Sequence, residues 1–92
     1  MNNPAKSNEL LTTIRDEITQ IDEQLIQLFL RRMECSKKIG MIKKENKIEV
    51  YDNEREKSIY KKLEIRTADM YEYSEKLYNC IISLSKEIQS KI

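Results

Sequence analysis

Ninety-two residues suffice for one small domain, and 17 basic against 16 acidic residues leave a net charge of +1. That balance gives no general argument for binding nucleic acid or a membrane surface. The chain has no histidine, and its two cysteines, Cys35 and Cys80, form neither a zinc-site nor a disulfide pattern. Both lie within apolar stripes, which predicts buried, reduced thiols. No apolar run could span a bilayer and no signal-like segment is present, so a cytoplasmic protein is predicted.

Residues 1–7 are polar and contain the only proline, which predicts a flexible leader before a helix capped by Ser7 or Asn8. Apolar residues then follow one another in alternating steps of three and four, a heptad-like pattern. This seam consists of Leu11, Ile14, Ile18, Ile21, Leu25, Leu28, Cys35, Ile39 and Ile42. It predicts one helix over residues 8–46, roughly 55–60 Å long. Because that exceeds the width of a 92-residue globule, the helix must reach another subunit or form a coiled coil.

Two shorter helices are predicted after the long one. Asp52 can cap a second helix that runs to about Arg66, and residues 67–70 form the next turn. A third helix follows to the end of the chain. The expected fold is all-α, with three helices in a single domain over residues 8–92 and a partner chain covering part of the apolar surface.

One residue of the seam is polar. Arg32 occupies a position where the spacing demands an apolar side chain, and a buried guanidinium needs a partner. Two interpretations stay open: a polar residue that sets the register of a coiled coil, or a group that binds an anion. Lys43 lies eleven residues later, close to three full turns, so both cations leave nearly the same face. Together they could hold a ligand with two negative groups, although Lys43 alone is typical of a solvated helix end.

The two shorter helices carry further polar candidates. Asp52, Arg55 and Glu56 lie at the start of the second helix, near the positive end of its dipole. Ser85 interrupts the apolar line of the third helix, and Gln89 follows one turn later. Both can form neutral hydrogen bonds beside a core. Taken singly, Asp52 is more typical of a helix cap, and Ser85 and Gln89 are typical of an ordinary helix surface.

Arg15 lies one position off the seam of the long helix. It is 28 residues from Lys43, which is roughly 42 Å along a straight helix. The two side chains of one chain therefore cannot contact the same small ligand. They can do so if two chains pair with their long helices antiparallel.

These residues, in this order and spacing, resemble the all-helical (type II) chorismate mutases over about residues 8–90. The matching blocks are LLTTIRDEITQIDEQLIQLFLRRM, KKIGMIKKENKIEVYDNERE and IISLSKEIQ. The family's functional positions fall on Arg15, Arg32, Lys43, Asp52, Arg55, Glu56, Ser85 and Gln89. Lys86 is a departure, because relatives often have an apolar residue there.

The resemblance implies an intertwined homodimer of three-helix chains. Each of two equivalent sites would take Arg15 from one chain and the other residues from its partner. The implied reaction is the Claisen rearrangement of chorismate to prephenate in aromatic amino-acid biosynthesis, which needs no metal, cofactor or covalent intermediate.

The resemblance also implies a role for each residue. Lys43 and Gln89 would donate to the ether oxygen, and Arg15 and Arg32 would hold carboxylates. The remaining residues would assist: Ser85 and Arg55 in binding the carboxylates, Asp52 and Glu56 in orienting the ring hydroxyl and the neighbouring cations. Because an amide donates at any pH, Gln89 predicts activity that does not depend on an acidic medium.

Two other functions fit parts of the pattern. Isochorismate–pyruvate lyases have the same fold and share the two arginines, the lysine and the glutamine. Asp52 and Ser85 favour the mutase, because relatives with lyase activity usually differ at these positions. A non-catalytic helical dimerisation module would explain the heptads, but not an arginine at position 32.

Overall fold

The computed structural model describes residues 3–92 and contains three α-helices. They are α1 (Pro4–Glu45), α2 (Asn53–Thr67) and α3 (Tyr71–Ser90), with a short 3₁₀-helix, Ala68–Met70, between α2 and α3. No strand occurs within residues 3–92. The predicted all-α fold with a long first helix is therefore confirmed. Among the described residues, no helix combines the length and apolar character needed to cross a membrane.

Helix α1 begins earlier than predicted. Asn3 Oδ1 accepts a hydrogen bond from the backbone N–H of Ala5 at 3.1 Å, and Pro4 is the first helical residue. Proline is favoured at this position because its missing N–H would have no helical partner. The predicted cap at Ser7 or Asn8 is therefore wrong: both lie inside the helix. Of the predicted leader, residues 1 and 2 lie outside the described part of the chain.

Helix α1 ends in a Schellman turn, which folds the chain back along the last turn of the helix. The N–H of Ile48 donates to the carbonyl of Lys43 at 2.8 Å, and the N–H of Lys47 donates to the carbonyl of Lys44 at 3.4 Å. Lys47 has a φ of 55°, the left-handed conformation that glycine usually supplies in this motif. This turn brings residues 48–51 back beside the last turn of α1.

The chain divides into two compact units, residues 1–32 and residues 33–92. The first unit is a helical segment whose apolar seam has no cover within the unit. The side chains from Leu11 to Leu28 on this seam are all about half exposed, between 47% and 55%. Apolar area of this extent is unusual on a monomeric protein and is typical of a surface that packs against another chain.

The second unit packs the end of α1 against α3 along a line next to the predicted seam. Its buried residues on α1 are Met33, Ser36 and Gly40, whereas Ile39 of the seam is exposed. Small residues at positions 36 and 40 let the backbone of α3 approach closely, which a stripe of large side chains would prevent. Ile82 is the buried apolar residue of α3. The prediction of buried cysteines is wrong for the single chain, since Cys35 and Cys80 are exposed.

Helix α2 packs on α3, and its start follows the sequence prediction. Asp52 is the N-cap, and its Oδ1 accepts from the backbone N–H of Arg55 at 3.0 Å. Tyr60 on α2 donates to the side-chain oxygen of Asn79 on α3. The hydroxyls of Thr67 and Ser74 bond across the turn at 2.8 Å. These polar contacts hold α2 against α3.

Candidate functional site

A buried polar cluster lies where the end of α1 meets α3. The hydroxyl oxygens of Ser36 and Ser85 are 2.5 Å apart, and the side-chain amide of Gln89 donates to Ser85 Oγ at 3.2 Å. Ser36 is 3% exposed and Ser85 is 9% exposed. Buried hydroxyls of this kind fix the rotamers of their partners, because breaking one bond leaves an unsatisfied polar group. The cluster therefore holds the Gln89 side chain from the α1 side.

Gln89 also has one polar atom without a partner. Its Oε1 is buried and forms no hydrogen bond to any described residue. Unpartnered buried polar atoms are uncommon in proteins and call for an explanation, of which a ligand site is one. Because a side-chain amide has two N–H donors and Ser85 accepts one, the same group can offer its second N–H to a bound molecule.

Gly40 sets the distance between α1 and this part of α3. A Cβ atom added to Gly40 would lie 3.0 Å from Gln89 Cα and 3.0 Å from Ile92 Cγ1. Gly40 is helical and its φ is not positive, so its backbone conformation does not require a glycine. The close approach of α3 does. The only glycine of the sequence therefore places Gln89 against α1.

Replacing Gly40 with alanine tests this packing. Alanine should gain about 1 kcal/mol in helix propensity. Contact with the Gln89 backbone should cost about 1–3 kcal/mol, since α3 must move. We expect a net loss of about 1 kcal/mol in the free energy of unfolding, measured by urea denaturation. A more stable variant would show that α3 can shift at little cost.

Lys43 lies at the end of α1 and is held by the Schellman turn. Its ammonium group donates to the carbonyl of Val50 at 2.8 Å, and the side chain is half-buried. The neighbouring Lys44 is exposed and donates to the carbonyl of Ile92 at 2.9 Å. Both ammonium groups thus donate to backbone carbonyls, but Lys43 is half-buried whereas Lys44 is exposed.

Glu56 lies at the start of α2 and faces α3. Its Oε1 forms an ion pair with Lys86 Nζ at 3.3 Å. Its Oε2 is buried and has no hydrogen-bond partner among the described residues. Burial first, then the negative charge of Glu56 and of Glu75, raises the pKa of the Tyr60 hydroxyl above its ordinary value, while Lys86 lowers it. Tyr60 therefore stays a neutral donor to Asn79 around neutral pH.

The structure brings some of the predicted site residues together and leaves others apart. Ser85 and Gln89 are in direct contact, whereas Asp52 and Arg55 are exposed at the start of α2. Lys43, Glu56 and Arg32 are half-buried, and Arg32 is the last residue of the first unit. Arg15 belongs to the first unit and is exposed.

Two open surface clefts of about 450 and 510 Å³ lie elsewhere, along α2. Of the predicted site residues, Glu56 is the one that lines a cleft, the smaller one. The polar cluster around Gln89 is separate from both. We therefore take the buried cluster, rather than the clefts, as the candidate site.

Sequence reasoning missed Ser36 as a member of the site. The residue lies between Arg32 and Lys43 in the sequence, and its hydroxyl contacts Ser85 across the interface of α1 and α3. A signal was available: Ser36 and Gly40 are small residues four apart beside an apolar seam, a spacing that permits close helix packing. The partner of Ser36 on α3 could not be deduced, because contacts between distant segments are not encoded in local spacing.

Residues 14–90 match the family model described as chorismate mutase type II. The chain belongs to the type II chorismate mutase family. The match covers Arg15 through Gln89, and therefore every polar residue predicted for the site. The predicted family and its all-α fold are thereby confirmed.

Similar curated proteins are larger than this type II domain. A bifunctional chorismate mutase/prephenate dehydratase of Aquifex aeolicus is 31% identical over 90 residues, covering 91% of this chain and 25% of that protein. A protein of the same name from Buchnera aphidicola is 36% identical over 90 residues, 94% of this chain and 23% of its own length. The T-protein of Haemophilus influenzae is 40% identical over 48 residues, 52% of this chain and 13% of its own.

The chain thus spans about a quarter or less of the curated relatives it matches. In the two bifunctional proteins the similarity extends over nearly all of the present chain. No solved structure matches the chain significantly.

Proposed function

We propose that the chain catalyses the rearrangement of chorismate to prephenate. The observation that carries this proposal is the family match over residues 14–90, because all the polar residues expected for this reaction lie within it. The names of two relatives, bifunctional chorismate mutase/prephenate dehydratases, give the same reaction. The buried cluster of Ser36, Ser85 and Gln89 supports the proposal, because its hydrogen bonds hold the Gln89 side chain in place.

The reaction fits a site built from fixed donors and cations. One substrate rearranges through a cyclic transition state, so no proton, hydride or nucleophile has to be supplied. As the ether C–O bond breaks, negative charge grows on the enolpyruvyl oxygen. Donors held at that oxygen in advance stabilise the transition state more than the substrate. Lys43 and the second N–H of Gln89 take this role in the proposal, with Arg32 holding a carboxylate in the folded geometry.

The remaining residues bind the dianion and its hydroxyl group. Arg15 and Arg55 supply further positive charge for the carboxylates, and Ser85 donates a neutral hydrogen bond. Asp52 and Glu56 orient the ring hydroxyl and the neighbouring cations, and Glu56 accepts the hydrogen bond from that hydroxyl. The unpartnered Oε2 of Glu56 supports that assignment, since it is a buried acceptor with no donor among the described residues.

A homodimer is part of the proposal. The apolar seam of residues 1–32 has exposed side chains from Leu11 to Leu28, and a second copy of the helix would cover them. Arg15 lies in that unit, whereas Lys43, Ser85 and Gln89 lie in the other. Pairing of two chains with their long helices antiparallel would let Arg15 of one copy complete the site of the other. A cytoplasmic location remains a prediction from the sequence.

Product analysis tests the proposed function. Purified protein is incubated separately with chorismate and with isochorismate, and the products are identified by proton NMR beside an Arg32→Ala variant. We expect prephenate from chorismate, strongly reduced in the variant. Salicylate and pyruvate from isochorismate as the main products would assign the chain to the lyases. If neither substrate reacts, and a bicyclic dianion that mimics the transition state does not raise the melting temperature, the chain is a non-catalytic dimerisation module.

The pH dependence of kcat should be flat on the acidic side. Because the Gln89 amide needs no protonation to donate, we expect kcat to stay within about twofold between pH 5.5 and 7.5. A Gln89→Glu variant is the matched control, since its carboxyl group can donate only when protonated and should lose activity as the pH rises. A steep fall of wild-type kcat across this range would contradict the role given to Gln89.

A further inference from the structure

Lys86 joins α3 to the start of α2 through Glu56. Its Nζ lies 3.3 Å from Glu56 Oε1 and 5.3 Å from the centre of the Tyr51 ring. Tyr51 directly precedes Asp52, the N-cap of α2. A cation over an aromatic ring is attracted to its face, so Tyr51 helps to keep the ammonium group in place. Lys86 therefore has two attractive contacts with the segment that begins α2.

This ion pair differs from an ordinary surface pair. The Lys91–Glu87 pair, at the end of α3, joins neighbours four residues apart with side chains 74% and 55% exposed. Pairs of that kind contribute little, because water screens them. The side chains of Lys86 and Glu56 are 38% and 20% exposed, and they come from different helices. The Lys86–Glu56 contact is thus less screened and depends on the tertiary structure.

The two oxygens of Glu56 have different surroundings. Oε1 is paired with the ammonium group of Lys86, whereas Oε2 is buried and forms no hydrogen bond to a described residue. Burying a carboxylate oxygen without a hydrogen-bond partner destabilises the folded protein. Such an oxygen stays buried only where the surrounding structure holds it in place. Lys86 is the cation that holds this carboxylate. Lys86 also directly follows Ser85, whose hydroxyl belongs to the buried cluster.

We propose that Lys86 is a positioning residue: it fixes the Glu56 carboxylate through Oε1 so that Oε2 accepts a hydrogen bond from the hydroxyl group of the bound substrate. The inference rests on the proposed function for the identity of the substrate. Lys86 itself does not contact the reacting atoms. Its positive charge also offsets that of Glu56 beside a dianionic ligand.

Kinetics of four variants test the proposal. We expect Lys86→Met to raise KM about five- to tenfold with kcat within about twofold, because an interaction made equally in substrate and transition state is lost. Lys86→Arg should restore KM to within about twofold, since it can still pair with Oε1. Glu56→Gln should raise KM at least as much as Lys86→Met. The matched control, Lys91→Met, removes the same charge directly after α3 and should leave both parameters unchanged.

The double variant distinguishes action through Glu56 from an independent effect. If Lys86 acts through Glu56, Lys86→Met combined with Glu56→Gln should be no worse than Glu56→Gln alone. Multiplying effects, or a Lys86→Met enzyme with wild-type KM, would overturn the inference while leaving the proposed function intact.

A second readout does not depend on activity. The ¹³C resonance of the Glu56 side-chain carboxyl should move in Lys86→Met and stay in place in Lys91→Met. An unmoved resonance in Lys86→Met overturns the inference whether or not chorismate reacts. A wild-type chain that forms no prephenate contradicts the proposed function instead.

Discussion

Replacing Lys43 with methionine should lower kcat/KM for prephenate formation by about a hundred- to a thousandfold. Removal of one preorganised donor at a developing negative charge has effects of this size in other enzymes. Lys43 suits that role because the Schellman turn fixes its backbone and its Nζ already donates to the carbonyl of Val50 at 2.8 Å. Methionine keeps the apolar stem of the side chain and removes the charge.

The matched control for this experiment is the next residue. Lys44 is exposed and its ammonium group bonds to the carbonyl of Ile92. We expect Lys44→Met to keep kcat/KM within about twofold, because an exposed charge outside the site is largely screened. Thermal melting of both variants, followed by circular dichroism, shows whether a lower kcat/KM comes from unfolding or from loss of catalysis in a folded protein. Equal effects of the two substitutions would show that general positive charge, rather than a positioned donor, is what matters.

Mixing two inactive variants should restore activity if the sites are shared between chains. Arg15→Ala and Lys43→Met each damage both sites of their own homodimer. A mixed dimer would contain one site with both defects and one site with none. With random pairing, half of the dimers are mixed, so we expect about a quarter of wild-type activity. Refolding the two purified variants together and assaying prephenate formation measures this directly.

Two results would contradict the shared site. If Arg15 acted within its own chain, every site of a mixed dimer would carry one defect and no activity would return. Sedimentation showing a monomer would contradict the dimer itself. The same measurement can be made on an Ile18→Glu variant, which places a charge on the exposed seam and should dissociate the dimer. Lys6→Glu, an exposed position off the seam, should leave the assembly unchanged.

Local features of the chain were predictable because short-range forces decide them. An aspartate side chain can accept from the free N–H groups at the start of a helix. Asp52 caps α2 in this way, as its position in the sequence predicted. The apolar rhythm beginning at Leu11 predicted one long helix, and α1 is continuous over Pro4–Glu45. The start of α1 was placed too late because Asn3 and Pro4, a cap followed by a favoured first residue, were read as a leader.

Pairings between helices were not predictable from spacing. The seam pattern predicts the face of α1 that meets a partner chain, and it does not indicate the face that meets α3. Within residues 33–92 that second face is the buried line of Met33, Ser36 and Gly40. Hydrophobicity shows which residues gain from burial, but close helix packing depends on small side chains that let two backbones meet.

The sequence by itself determined the helices and their order, and it predicted the family. The tertiary structure alone decided that Ser36 contacts Ser85, that Gly40 admits Gln89, and that Lys86 pairs with Glu56. The physical reason is the range of the forces. Capping and helical periodicity act over a few residues, whereas these three contacts join positions at least 30 residues apart and exist only once the helices have packed.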